Sequence, residues 1–237
     1  MKIEALLDEL FPVGHSIKNA QSILTGFGST GKGEIAVMGT TDHLAVGVEA
    51  ALILADFVLG IIKESPGRPI LMLVDTQGQR LSKRDELLGI NGYLAHVAKC
   101  LELARQRGHQ LITLIYSEAV SGGFLAFGMM ADEIHTLAEA KVRVMNLPAM
   151  ARITKLPLET LQELSAKSPS FAPGVDNFYK LGGVFSIWRP PLANHLKTAL
   201  ERQTCGDHRR DAGRERSGRK LAAQVSRLVS VAKPITG

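Results

Sequence analysis

Apolar and polar residues alternate along this chain in blocks that change period several times. IEALLDEL (3–10) repeats its apolar positions at helical spacing, which predicts a short amphipathic helix ended by Phe11-Pro12. AQSILTGFG (20–28) and GEIAVMGT (33–40) read as two strands around a Gly-rich turn. The longest apolar run is LAVGVEAALILADFVLGII (44–62), long enough to suggest a membrane span. Glu49 and Asp56 interrupt it, and an acidic residue at a bilayer centre costs about 2.5–3.5 kcal/mol. With Lys63 they recur at every seventh residue, on one narrow stripe. The pattern therefore predicts a soluble helix buried on nearly every side, capped by Thr41 or Asp42 and stopped at SPGRP (65–69). Such a helix needs a sheet below and a partner above, or a large subunit interface.

ILMLVD (70–75) and QLITLIYS (110–117) are continuous apolar runs of the kind expected for strands covered on both faces. Between them, TQGQRLSKRDE (76–86) reads as a polar loop, and 85–107 as a helix closing at Gly108. A short helix follows Ser121-Gly122-Gly123. EIHTLA (133–138) and KVRVM (141–145) read as short strands around a turn at Glu139-Ala140. Pro148 and Pro157 break the next stretch into short helices, and PLANHLKTALER (191–202) is a last regular helix. This α/β alternation implies a mainly parallel sheet with right-handed crossovers and flanking helices. Ligands of such sheets bind at the carboxyl ends of the strands. The loops there are GTTD (39–42), DTQGQ (75–79) and SEAVSGG (117–123).

Composition changes this picture only at the end. Apolar content of 45% and charged content of 22% are ordinary for a globular chain, and the net charge of +5 is mild. RQTCGDHRRDAGRERSGRK (202–220), however, is arginine-rich and nearly free of apolar residues, so it reads as a solvated linker. We expect a folded domain over 1–203 and a basic, flexible tail over 204–237. Nucleic-acid contact is disfavoured, because Asp207, Asp211 and Glu215 alternate with the arginines and no aromatic residues interleave. Met1 is not followed by a charged-then-apolar leader, and Cys100 and Cys205 form no framework. A reduced, cytoplasmic location is the expectation.

Two glycine-rich stretches carry candidate chemistry. GFGSTGKG (26–33) satisfies G-x-G-x-x-G and nearly matches a phosphate loop, but Gly33 stands where the magnesium-binding hydroxyl would be. A strand follows it, whereas both phosphate motifs require a helix. A hairpin turn is the better reading. No two histidines are spaced as a ligand pair on one helix face, so no metal site is expected; His43 reads as a surface or capping residue. Ser121-Gly122-Gly123 opens a helix on bare backbone. Ser121 lacks the G-x-S-x-G elbow of a serine hydrolase. The glycines serve either tight helix–sheet packing or backbone N–H groups presented to a substrate oxygen, as an oxyanion hole.

VDTQGQ (74–79) after a strand, followed a helix and strand later by EAVSGGFLAFGMMADEIHTLAEAKVRVM (118–145), resembles the carboxyltransferase branch of the crotonase superfamily. Over residues 1–203 the chain looks like the malonate decarboxylase gamma-subunit family, related to the alpha half of acetyl-CoA carboxylase's carboxyltransferase. The resemblance implies a crotonase-like spiral of ββα units, a homologous beta subunit and an active site between the two. It implies a malonyl thioester carried on the dephospho-CoA-derived arm of an acyl carrier protein, an acyl or malonyl transferase subunit in the larger complex, and no cofactor bound by this chain. Gly122 and Gly123 match the glycine pair of an oxyanion hole, with Ser121 beside them. Asp75, Thr76, Gln77 and Gly78 match a loop that usually reads Asp-Thr-Pro-Gly; Gln77 replaces the proline and is a candidate contact for the substrate carboxylate. An alpha-type half of a biotin-dependent carboxyltransferase, a serine hydrolase using Ser121, and a non-catalytic scaffold are the alternatives.

Overall fold

The computed structural model describes residues 1–167, 172–202 and 207–231. The chain opens with α1 (Ile3–Leu10), β1 (Lys18–Ala20), β2 (Ile23–Thr30), β3 (Gly33–Thr40), β4 (Ala45–Val46) and α2 (Val48–Glu64). It continues through β5 (Ile70–Thr76), β6 (Gly78–Gln79), α3 (Lys83–Leu87), α4 (Ile90–Gln106) and β7 (Leu111–Val120) to α5 (Ser121–Phe127). A 3-10 turn, Gly128–Met130, leads to β8 (Glu133–Leu137), β9 (Lys141–Arg143), α6 (Leu147–Thr154), α7 (Leu158–Lys167) and α8 (Val175–Lys180). The last elements are β10 (Ser186–Trp188), α9 (Leu192–Arg202), α10 (Arg209–Glu215) and α11 (Ala222–Val231).

The main sheet runs β1-β2-β3-β5-β7-β8-β10, with β9 also on β7. Pairing is antiparallel only among β1, β2 and β3, and parallel elsewhere. The β2–β3–α2 succession is a ββα unit. The mainly parallel α/β fold with flanking helices is thus the one expected.

The continuous apolar runs are explained by the pleat. Ile70, Met72 and Val74 of β5 enter one core with Leu54 and Val58 of α2 and Leu101 of α4. Leu71 and Leu73 enter the other, closed by Leu6 and Leu10 of α1 and Leu192 and Leu196 of α9.

Three expectations need correction. The apolar run 44–62 is not one helix: Ala45 and Val46 pair with Gly78 and Gln79, and α2 begins at Val48 with Gly47, not Thr41 or Asp42, as its cap residue. The Asp85 carboxylate accepts the Val48 N–H at 3.2 Å, which fixes that start. Nor is α2 buried on nearly every side, since Leu52, Ile53 and Leu59 are exposed on its outer face. The helix expected over 85–107 is two, broken at Gly89, which is left-handed at φ 74°.

The basic segment is the third correction. Residues 203–206, including Cys205 and the boundary expected at 203/204, lie outside the described residues. Beyond them the stretch 209–218 is docked rather than solvated: Arg216 donates to the carbonyls of Tyr179, Val184 and Phe185 at 2.9, 2.8 and 3.1 Å and stacks on the Tyr179 ring. Arg209 donates to the Met129 carbonyl at 3.0 Å. The segment docks through backbone carbonyls, which explains how it can pack with almost no apolar side chains.

Candidate active site

The three loops at the carboxyl edge of the sheet meet around Asp75. Asp75 is buried, its side chain 6% exposed. Oδ2 accepts the His43 N–H at 3.0 Å, and Oδ1 accepts the Glu118 N–H at 3.1 Å and lies 2.7 Å from His43 Nδ1. One carboxylate therefore ties the loop after β3 to the last residues of β7. Asp42 and His43 hold left-handed backbone, φ 54° and 52°, a conformation that costs free energy in non-glycine residues and is concentrated at functional sites. Asp42 is steadied by the Ser22 hydroxyl, which donates to Oδ2 at 2.8 Å. His43, expected to be an ordinary surface or capping residue, is held against Asp75.

The next residues are locked in turn. Thr76 Oγ1 donates to the Leu44 carbonyl at 2.6 Å and accepts the Gly78 N–H at 3.0 Å. Gly78, at φ 110°, turns the chain into β6, where Gly78 and Gln79 pair with Ala45 and Val46 of β4. Tyr116 donates to the Thr40 carbonyl at 3.0 Å, and burial holds its hydroxyl well above the ordinary phenol range.

Across from this loop stands the glycine corner. Ser121 itself is left-handed, φ 51°, as β7 gives way to α5. The first N–H groups of a helix have no intrahelical partner and face outward. Gln79 meets them: its side-chain Oε1 accepts the Gly122 N–H at 3.0 Å and lies 3.3 Å from Ser121 Oγ. The two glycines have different surroundings. A Cβ at Gly123 would lie 2.6 Å from the Gly78 carbonyl carbon, a backbone atom that cannot rotate away. A Cβ at Gly122 would meet only the end of the Gln79 side chain, 2.6 Å from Oε1. Tight packing therefore accounts for Gly123 whatever its N–H does, but not for Gly122.

Asp75, Thr76, Gly78, Ser121, Gly122 and Gly123 are thus brought together, and the Gln77 side chain makes no hydrogen bond to this group. Gln77 is exposed, and its side chain has no hydrogen-bond partner among the described residues. The glutamine at the corner is Gln79, which the sequence reading passed over. Ser121 bonds to Gln79 and to no histidine among the described residues.

Charged groups brace the rim. Asp85 is fully buried and accepts from Arg80 Nε at 2.5 Å, Arg80 Nη2 at 2.8 Å and the Ser82 hydroxyl at 2.5 Å. Hydrogen bonding from Arg80, then from Ser82, holds its carboxyl well below the usual carboxylate range. Glu118 faces Arg143 at 3.4 Å and Lys141 at 3.5 Å on the adjoining β9. Among the described residues, no group of three or more His, Cys, Asp or Glu is placed to hold a metal ion. No described helix is long and apolar enough to cross a membrane.

Comparison with known proteins adds the following. Residues 41–233 match the family model described as malonate decarboxylase gamma subunit. A malonyl-S-ACP:biotin-protein carboxyltransferase, MADD, from Malonomonas rubra is 34% identical over 186 residues, 70% of this chain. That alignment spans 64% of the relative's length. The chain also superposes on a crystal structure of a Pseudomonas malonate decarboxylase hetero-tetramer in complex with coenzyme A. The TM-score is 0.79, with 25% identity over 95% of this chain and 97% of that one. A Pseudomonas malonate decarboxylase MdcD-MdcE hetero-dimer gives a TM-score of 0.75, again with 25% identity, 95% of this chain and 97% of the other.

Proposed function

The chain belongs to the malonate decarboxylase gamma-subunit family, and on that premise we propose that it works with a homologous beta subunit to decarboxylate a malonyl thioester carried by an acyl carrier protein. The observation that carries this reading is the Gly122 N–H, which at the start of α5 already holds a carbonyl oxygen at 3.0 Å. In the reaction the bond between the carboxylate carbon and the α-carbon breaks and CO₂ leaves. Its electron pair moves into the thioester carbonyl and gives an enolate. The oxygen gains charge in the transition state, so a fixed N–H donor stabilises that state more than the substrate. A proton delivered to the α-carbon then gives the acetyl thioester. Gly122 and Gly123 present the donors, Ser121 adds a hydroxyl, and Asp75, Thr76 and Gly78 hold the facing loop. The exposed Leu52, Ile53 and Leu59 of α2 suit burial against the beta subunit. Residues 1–203 carry the chemistry. The basic segment contacts Met129, beyond the opposite end of α5 from the corner.

The likeness to the Malonomonas rubra carboxyltransferase favours one other reading, in which the same corner serves transfer of the carboxyl group to biotin. Carbon fate separates them. The chain co-purified with its beta subunit should convert malonyl thioester to acetyl thioester and free CO₂ in the presence of avidin. Dependence on a biotin carrier, with label recovered as carboxybiotin, would replace decarboxylation by transfer.

A further inference from the structure

Gln79 raises a difficulty for any use of the corner, because the donor that a substrate would need is already taken. Only the carbonyl oxygen of its carboxamide can accept the Gly122 N–H, so this contact also fixes which way the amide is turned. The same oxygen lies 3.3 Å from Ser121 Oγ, so the Gly122 N–H and the Ser121 hydroxyl converge on one sp² oxygen. That is the arrangement a thioester carbonyl would adopt there. Gly122 is the residue that lets it happen, since a Cβ would stand 2.6 Å from Oε1.

The backbone of Gln79 is pinned while its side chain is held at one end only. Gln79 pairs with Val46, and Gly78 before it is packed against Gly123. The carboxamide Nε2 has no hydrogen-bond partner among the described residues. Rotating the side chain away therefore breaks the Oε1 contacts and leaves β6 in place. A neutral amide oxygen is a modest competitor for a neutral thioester carbonyl, and a poorer one against an enolate oxygen, whose charge strengthens each N–H bond.

We propose that Gln79 is an internal placeholder for the substrate carbonyl, occupying the Gly122 donor until an acyl thioester displaces it. This rests on reading the corner as the thioester's oxyanion hole. Gln79 then acts as a positioning residue: it keeps the empty corner in shape and sets the affinity of any acyl group that enters.

The test uses the complex with the beta subunit and compares acetyl-CoA with CoA, which lacks the carbonyl. In Gln79→Ala, acetyl-CoA should bind about two- to tenfold more tightly, the range of one net hydrogen bond, while CoA affinity stays the same. Gln79→Met, which keeps the side-chain length without the carbonyl, should do likewise. Gln79→Glu, whose carboxylate binds the donors more strongly, should weaken acetyl-CoA alone. Acetyl-CoA affinity unchanged or weakened in both Gln79→Ala and Gln79→Met overturns the placeholder. Decarboxylation is assayed separately on the parent complex, so a failed oxyanion reading and a failed placeholder give different results.

Discussion

Two stretches of this chain concentrate glycine, Gly26 to Gly33 and Gly122-Gly123, and they put bare backbone to different uses. In the first, β2 and β3 pair from Ile23↔Thr40 to Thr30↔Gly33, so the backbone is consumed by an antiparallel ladder. Two of its glycines relieve contacts: a Cβ at Gly26 would lie 2.5 Å from the Ser16 carbonyl oxygen, and one at Gly28 2.3 Å from the Phe11 ring. In the second, a helix follows, and its first N–H groups have no ladder to join. Gly123 relieves a contact with Gly78, whereas Gly122 offers its N–H to a side-chain oxygen. Glycine density does not distinguish the two stretches. The element that follows does, because a strand uses up donors and a helix start leaves them free.

The largest effect that would sharpen this comparison is expected at Gly123. In Gly123→Ala the new Cβ meets the backbone of Gly78, so α5 and β6 must separate, at about 1–3 kcal/mol for overpacking. The same movement displaces the corner, and turnover by the complex should fall about a hundredfold. Gly26→Ala meets backbone too, the Ser16 carbonyl, at a φ of 151°. Its melting temperature should drop comparably, with turnover per assembled complex unchanged. Equal losses of turnover in the two variants would mean that the corner is a packing device like the hairpin.

Gly122→Ala is the intermediate case. Its Cβ meets only a rotatable side-chain end, so stability should change by less than about 1 kcal/mol. Turnover should nonetheless fall about ten- to hundredfold, since the added methyl stands where the acyl oxygen must approach. Thermal unfolding and turnover measured on one preparation check both parts. A loss of stability without a loss of turnover would assign Gly122 to packing as well.

The sheet and its three loops could be read from the sequence because burial on both faces writes long apolar runs such as ILMLVD. The helix start at Val48 could not. Leu44, Ala45 and Val46 continue the apolar run, and the boundary is imposed by Asp85, far along the chain. That Gln79 is the glutamine that meets the Gly122 N–H was illegible for a related reason. With Gly78 at φ 110°, two glutamines a turn apart face differently, and no periodicity in a loop tells which one reaches Gly122. The His43–Asp75 pair was hidden by the same separation in sequence. The docking of Arg216 was invisible because composition reports apolar burial, and this contact is made through carbonyls.

The smallest effects test the hairpin from the other side. Gly31 and Lys32 form its tip, where Thr30 and Gly33 are already paired. A Cβ at Gly31 would find open space, and among the described residues the Lys32 ammonium reaches only Glu201, at 3.4 Å, with both side chains nearly half exposed. Exposed ion pairs of this kind are worth little. Gly31→Ala and Lys32→Ala should therefore each change stability by less than about 0.5 kcal/mol and leave turnover unaltered. Lys32 is also the residue that a phosphate loop would need most, and a phosphate loop holds its anion on the N-terminus of a following helix. Here the following element is β3. Added ATP with magnesium should accordingly leave the melting temperature of the parent and of Lys32→Ala the same. A shift of several degrees in the parent, lost in Lys32→Ala, would give this tip a ligand and erase the contrast with the corner.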